Sequence, residues 1–304
     1  MKPIIFDVDT GIDDALAMAY ALNSPELEVL GFTTCFGNVP VVDATRNTLT
    51  VLEKVAKPIP VYQGAAQTFL GRDKKTWPKQ VHGEGGLGDR FMSDPITEAE
   101  SQFAPDFIIE QVKKRPHEIT VIAVGPLTNL ALAIKKSPEI IPLVKEVIVM
   151  GGAVNVPGNV NEYSEANIIA DPEAAEYVLS SGIALTLVGL DVTMQTLLPK
   201  SKLEKWRTDG NEKGQFFADM TEFYIGYYEK VSPGIEGCAL HDPLAVGVAI
   251  DSGFVKTETM NVKVVTKGEE AGRTVGTHDE KATTRVCTEV DANRFLEHFL
   301  NRVI

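Results

Sequence analysis

The segment Pro3-Ile4-Ile5-Phe6-Asp7-Val8-Asp9-Thr10-Gly11-Ile12-Asp13-Asp14 decides how the chain is read. Its first half, Pro3 to Val8, is a short apolar run suited to a buried strand. Helical spacing starts at Asp13 and runs to Leu22, with Ala15, Leu16, Met18 and Ala19 on the apolar positions. Four carboxylates, Asp7, Asp9, Asp13 and Asp14, therefore fall where a first strand ends and a first helix begins. In open parallel sheets ligands bind outside the carboxyl ends of strands, which is where this turn should lie. That much negative charge in one place is unfavourable unless a cation or protons offset it. A hard divalent cation held by oxygen ligands, Ca²⁺ or Mg²⁺, is the natural solution. Singly, Asp13 or Asp14 is an ordinary first-turn acid and Asp7 an ordinary turn residue. Four together mark a metal site.

Outward from this segment the alternation repeats. Strands are predicted at Leu27 to Thr34, Glu118 to Val124, Lys145 to Met150 and Ile183 to Leu190, and helices at Val41 to Val55, Leu127 to Lys135 and Asp171 to Leu179. This predicts an α/β fold, a mostly parallel sheet flanked by helices with a Rossmann-like core. The C-terminal third changes character, with one aromatic-rich helix over Lys202 to Tyr228 and another from Pro243 to Ile250. Antiparallel strands at Thr259 to Thr266 and Thr283 to Thr288 precede a closing helix, Asp291 to Leu300. No repeat or linker interrupts the pattern, so residues 1–304 read as one domain with a C-terminal helical and antiparallel elaboration. Gln63 to Pro105 and Gly151 to Ala170 are irregular, and loops of that length are usually functional.

Composition excludes several classes. With 304 residues and 44 % hydrophobic content the chain can bury a core without staples. Its 29 Lys+Arg against 42 Asp+Glu, a net charge of −13, argue against nucleic acid or an anionic membrane as partner. Cys35, Cys238 and Cys287 lack metal-ligand spacing and fit a reducing compartment. No signal-peptide core precedes Asp7, and the charge-free stretch Ile119 to Ile134 is too short and too broken to span a bilayer. A cytoplasmic protein is expected.

Asp9-Thr10-Gly11-Ile12-Asp13-Asp14-Ala15 resembles the N-terminal signature of the inosine-uridine-preferring nucleoside hydrolases. The resemblance continues in order through Phe36-Gly37-Asn38-Val39, His82-Gly83-Glu84-Gly85-Gly86-Leu87-Gly88 and Val124-Gly125-Pro126-Leu127-Thr128-Asn129. It extends through Met150-Gly151-Gly152, Gly158-Asn159, Glu165-Ala166-Asn167 and Asp171-Pro172-Glu173-Ala174 to His241-Asp242-Pro243-Leu244-Ala245. Several signatures in register over essentially the whole chain are far more specific than any one of them. Two positions depart from the pattern: Thr10 stands where many relatives have Pro, and Ala166 where some have an aromatic residue.

The resemblance implies hydrolysis of the N-glycosidic bond of ribonucleosides to free base and ribose, through an oxocarbenium-like transition state. It implies Ca²⁺ held by Asp9, Asp14, Asp242 and the backbone carbonyl of Val124, with Asp9 as general base for a metal-bound water. Asp13, Asn38, Met150, Asn159, Glu165 and Asn167 become ribose contacts. Glu165 and Asn167, two apart, share a face if that segment is extended. His82, on a mobile loop, and Tyr224 and Tyr228, at helical spacing, become base contacts. His241 becomes the acid toward the leaving base, a role that suits a near-neutral imidazole. A homotetramer or homodimer is implied as well.

Three other readings compete. Ile4-Ile5-Phe6-Asp7-Val8-Asp9-Thr10 also resembles the first motif of haloacid-dehalogenase-type Mg²⁺ phosphohydrolases, with Asp7 as nucleophile. That explains one heptapeptide and leaves His241-Asp242-Pro243 unused. Gly83 to Gly88 matches G-x-G-x-x-G, but Thr76 to Gln80 before it is no buried strand, as a dinucleotide site requires. A non-catalytic nucleoside or sugar binder leaves the retained acids unexplained. Under the hydrolase reading, Asp9→Ala removes turnover together with divalent-cation binding, which ribose release and calorimetric titration check.

Overall fold

Strand β1 (Lys2–Val8) is apolar on both faces: Ile4, Phe6 and Val8 bury on one side and Ile5 on the other, all without exposure. Such a strand is stable only inside a sheet covered on both sides. In the computed structural model, which describes residues 1–89, 94–208, 211–280 and 282–304, it lies within a nine-stranded sheet.

The chain runs α1 (Ile12–Leu22), β2 (Leu27–Thr34), α2 (Val41–Lys54), β3 (Val61–Gln63), α3 (Lys79–His82), α4 (Ala104–Lys114), β4 (Thr120–Ala123) and α5 (Thr128–Lys136). It continues with β5 (Glu146–Met150), α6 (Ala166–Ala170), α7 (Pro172–Leu179), β6 (Leu185–Val188), α8 (Leu190–Thr193), β7 (Leu197–Pro199), α9 (Ser201–Thr208) and α10 (Glu212–Val231). Last come β8 (Gly237–Ala239), α11 (His241–Ile250), β9 (Val255–Val264), β10 (Thr274–Thr277), β11 (Thr284–Val290) and α12 (Ala292–Leu300). The order across the sheet is β10-β9-β11-β6-β5-β4-β1-β2-β3. From β6 to β3 every pairing is parallel.

This order places the site. After β1 the chain builds outward through β2 and β3, then crosses back to lay β4 on the other side of β1. The crevice between the carboxyl ends of β1 and β4 is thus a topological switch point. Asp9 follows β1 there and Val124 follows β4.

The parallel core carries the strands that the periodicity predicts, while β3 at its edge and the helix α4 are unforeseen additions. Lys202 to Tyr228 is two helices rather than one: α10 starts afresh at Asn211, whose side chain accepts from the Gly214 N–H at 2.6 Å. The C-terminal strands are antiparallel as expected, β11 against β9, and they extend the main sheet because β11 also pairs parallel with β6; the unforeseen β10 pairs antiparallel with β9. Within the two irregular stretches lie the short helices α3 and α6; residues 90–93 of the first stretch fall outside the described residues. Helices of four or five residues are below the length at which periodicity is readable.

Because Asn211 is the N-cap of α10, Asn211→Ala is expected to lower stability by about 1 kcal/mol. Urea unfolding checks this, with an unchanged m-value.

Candidate active site

Gly11 opens α1 and Asp14 closes its first turn: Asp14 Oδ2 accepts from the Gly11 N–H at 2.9 Å and Oδ1 from the Asp9 N–H at 3.0 Å. This capping geometry folds residues 9–14 back on themselves and brings the two carboxylates together. Asn38, after β2, holds both, with its N–H on Asp9 Oδ2 at 2.7 Å and its amide on Asp14 Oδ2 at 3.1 Å. Gly37 permits that approach, because a Cβ there would stand 1.9 Å from Asp9 Oδ2. Asp13 reaches the other way and accepts the Asp242 N–H, at the start of α11, at 3.0 Å. The departure at Thr10 has a use, for its hydroxyl pairs with that of Thr48 on α2 at 2.7 Å.

All four acids, Asp9, Asp13, Asp14 and Asp242, are buried. Burial pushes each above the ordinary carboxylate range, and the charge of Asp14 pushes Asp9 and Asp13 further. For Asp242 the charges of Asp13, Asp14 and Asp9 add to burial. Asp9 Oδ1 and Asp13 Oδ1 have no hydrogen-bond partner among the described residues. Asp9 Oδ1 packs against Gly125, beside the Val124 carbonyl, which receives the Asn167 amide at 2.7 Å. Among the described residues no three His, Cys, Asp or Glu side chains form a ready-made chelate. The oxygens that meet at this point are carboxylates and a main-chain carbonyl, a sparse set of a kind that hard cations retaining water ligands can use.

Asp7 points elsewhere. It accepts from Thr33 Oγ1 at 2.5 Å and from Asn129 of α5 at 2.7 Å, and burial raises it to about 7. It does not line the cavity that opens beside Asp13, which has a volume of about 1550 Å³. Asp9 and Asp14 do not line it either; what sets Asp7 apart is that two side chains, Thr33 and Asn129, both hold one of its oxygens.

Asp13, Asn38, Val124 and Asp242 form the acidic floor of this cavity, while Asp9 and Asp14 lie just beneath it. Met150, Asn159, Glu165 and Asn167 form a second wall. Glu165 and Asn167 are not on an extended segment. Glu165 is the N-cap of α6, and its carboxylate accepts from the N–H groups of Asn167, Ile168 and Gly152, so Asn167 enters the first helical turn. Asn159 Oδ1 accepts from the Ala166 N–H at 3.0 Å.

The third wall is aromatic. His82 sits on α3 rather than in open loop; it is buried, its Nδ1 accepts the Ile12 N–H at 3.1 Å, and its ring stacks on Tyr224 with centroids 5.7 Å apart. The Tyr224 and Tyr228 hydroxyls are 3.5 Å apart, and Tyr228 Oη lies 2.8 Å from His241 Nε2. Burial pushes both phenols up and His241 down to about 4.

Two residues were not legible in advance. Lys74 reaches into the cavity and donates to the Gly37 carbonyl at 2.8 Å. Thr193, buried on α8, pairs with His241 Nδ1 at 2.7 Å. A lysine in a polar loop and a threonine on a four-residue helix carry no distinguishing signal in one sequence.

The family model described as inosine-uridine preferring nucleoside hydrolase matches residues 4–297. The chain is 39 % identical to a probable uridine nucleosidase 2 of Arabidopsis thaliana, with 100 % of this chain and 98 % of that one covered. It is 36 % identical to the pyrimidine-specific ribonucleoside hydrolase RihB of Escherichia coli, with 97 % and 94 % covered. A solved purine-preferring ribonucleoside hydrolase from Gardnerella vaginalis superposes with a TM-score of 0.96 at 42 % identity, covering 99 % and 98 %.

Burial holds His82 down at about 3, with the neighbouring His241 adding to the shift. Unfolded, it takes a proton below about 6.5. The native state does not, so the stability that His82 allows is full above 6.5 and declines as pH falls toward 3. The stability of His82→Asn relative to wild type is therefore expected to rise by about 1.4 kcal/mol per pH unit over that window. Guanidinium unfolding of both proteins across pH checks the slope.

Proposed function

This chain belongs to the inosine-uridine-preferring nucleoside hydrolase family, and from that premise we propose how its own residues hydrolyse the N-glycosidic bond of ribonucleosides. The observation that carries the reading is the pairing, across one cavity, of a buried acid cluster with an aromatic wall in which Tyr228 is hydrogen-bonded to His241 and Tyr224 lies beside it. One end suits a cationic sugar transition state and the other a departing base.

The site fits a divalent cation, and Ca²⁺ suits its donor set of Asp9, Asp14, Asp242 and the Val124 carbonyl. Bound there, the ion supplies orientation and polarisation of the attacking water. Asp9, with one oxygen held by Asn38 and the other free, accepts the proton of that water as its oxygen bonds to the anomeric carbon. Asp13, Asn38, Met150, Asn159, Glu165 and Asn167 hold the ribose; the carboxylates among them stabilise positive charge as the C–N bond breaks. The bonding pair leaves with the base, whose nitrogen takes a hydrogen bond from the aromatic wall. His82 and Tyr224 stack beside it, and Tyr228 and His241 supply the donor. His241 acts as a neutral hydrogen-bond donor through Tyr228 and is no reservoir of imidazolium.

The family's names span purine and pyrimidine substrates, and the Tyr228–His241 donor serves any base that presents a lone pair to it. A nine-stranded sheet that takes strands from Lys2 to Val290 supports a single domain over residues 1–304. Among the described residues no helix is long and apolar enough to cross a membrane. Three buried free thiols and the acidic balance support a cytoplasmic setting without nucleic-acid partners. Assembly as a homotetramer or homodimer rests on the family resemblance, and light scattering tests it.

Purified protein incubated separately with inosine, uridine, cytidine and adenosine is expected to release ribose, to lose that activity with chelator and to regain it with Ca²⁺. No ribose release from any of the four in the presence of Ca²⁺ overturns the reading. His241→Ala is expected to lower kcat on inosine by roughly 10²–10⁴-fold while sparing p-nitrophenyl riboside, whose leaving group needs no help. Equal losses on both substrates refute the donor role.

A further inference from the structure

His241 has a hydrogen-bond partner on each ring nitrogen. Nε2 faces Tyr228 Oη at 2.8 Å on the cavity side, and Nδ1 faces Thr193 Oγ1 at 2.7 Å behind it. A neutral imidazole carries one hydrogen, and which nitrogen holds it decides the direction of the whole chain. With the hydrogen on Nδ1, Tyr228 must donate to Nε2, and its hydroxyl hydrogen points away from the substrate. With the hydrogen on Nε2, Tyr228 accepts from the ring and its own hydrogen is free for the base.

Thr193 breaks the tie. It has no exposed surface, and among the described residues its Oγ1 has a single partner, His241 Nδ1. A buried hydroxyl hydrogen without an acceptor costs more than an oxygen lone pair without a donor. The Thr193 hydrogen therefore goes to Nδ1, which leaves the ring hydrogen on Nε2. Tyr224 Oη, 3.5 Å from Tyr228 Oη, is too distant to hold the Tyr228 hydrogen firmly. Every hydrogen in the row Thr193, His241, Tyr228 then points toward the cavity.

Deepening the hydrolase reading on which it rests, we propose that Thr193 is a positioning residue that locks His241 in its Nε2–H tautomer and so aims the Tyr228 hydroxyl at the leaving base. It does not line the cavity. Its carrier α8 is itself anchored, because Asp191 accepts from the N–H groups of Val154 and Asn155 at 3.0 and 2.8 Å. The device selects nucleosides whose base offers a nitrogen or oxygen lone pair at that wall, and is idle for a good leaving group.

Two measurements test it. The first uses ¹⁵N-histidine-labelled protein with Ca²⁺ and long-range ¹H–¹⁵N correlation, His241 being assigned by its loss in His241→Gln. The Nε2–H pattern is expected; an Nδ1–H pattern or a mixture of tautomers overturns the proposal whether or not the protein turns over nucleosides. The second compares inosine with p-nitrophenyl riboside. Thr193→Val is expected to lower kcat on inosine roughly 10- to 100-fold, a part of what a positioned proton donor contributes. Its KM and its activity on p-nitrophenyl riboside should change little, and Thr193→Ser should restore inosine turnover. Parallel losses on both substrates, or full inosine activity in Thr193→Val, overturn it. If Thr193→Val does not fold, the tautomer and the Thr193→Ser activity ratio decide.

Discussion

Carboxylates lose hydration when buried and repel one another when close, yet this fold sinks Asp9, Asp13, Asp14 and Asp242 together beneath one cavity. The rest of the architecture makes that concentration tolerable. Backbone N–H groups point at the acids from three places: Asp9 and Gly11 in the turn after β1, Asn38 after β2 and Asp242 at the start of α11. Oriented amides of this kind stabilise charge without needing to reorganise. Some oxygens remain unpaired even so, on Asp9 and Asp13, and they are the atoms through which the cluster can act on a cation or a sugar.

The close packing needed for this explains several small residues. At Gly37 a side chain would collide with Asp9, at Gly11 with His82, 2.5 Å from its Nδ1, and at Gly125 with Asp9 Oδ1. These are close approaches of backbone to functional side chain, the situation in which glycine is the residue that fits. They also join the walls of the cavity, since His82 holds the start of the same helix that carries Asp13 and Asp14. Acid floor and aromatic wall are therefore not independent modules, and loss of the α3 contact is felt at the acids.

The two ends of the cavity meet their chemical tasks through opposite uses of burial. At the acid end burial raises proton affinity until an ion or a sugar cation offsets it. At the aromatic end burial lowers the proton affinity of His241 and His82 and keeps both rings neutral. A neutral ring can both donate and accept, which lets it sit in the middle of a directional row of hydrogen bonds. An imidazolium could only donate.

Much was legible in one sequence. Strand-turn-helix alternation and apolar runs on both faces of Ile4 to Val8 determine a buried parallel sheet, because period and burial leave no other arrangement for those residues. Asp7-Val8-Asp9-Thr10-Gly11-Ile12-Asp13-Asp14 likewise announces an acid cluster at a strand end, since four carboxylates within eight residues have no bland explanation. What only the tertiary structure decided is which atoms meet. Thr193 and His241 are 48 residues apart, and Lys74 reaches Gly37 across 37; neither pairing leaves a local pattern. Glu165 and Asn167 look like strand neighbours but cap and open a five-residue helix, too short for periodicity to reveal. The proton affinity of His241, which burial pulls down, belongs to the same kind. A side chain's proton affinity is set by what surrounds it in space, and one residue's surroundings come from segments that the sequence keeps far apart.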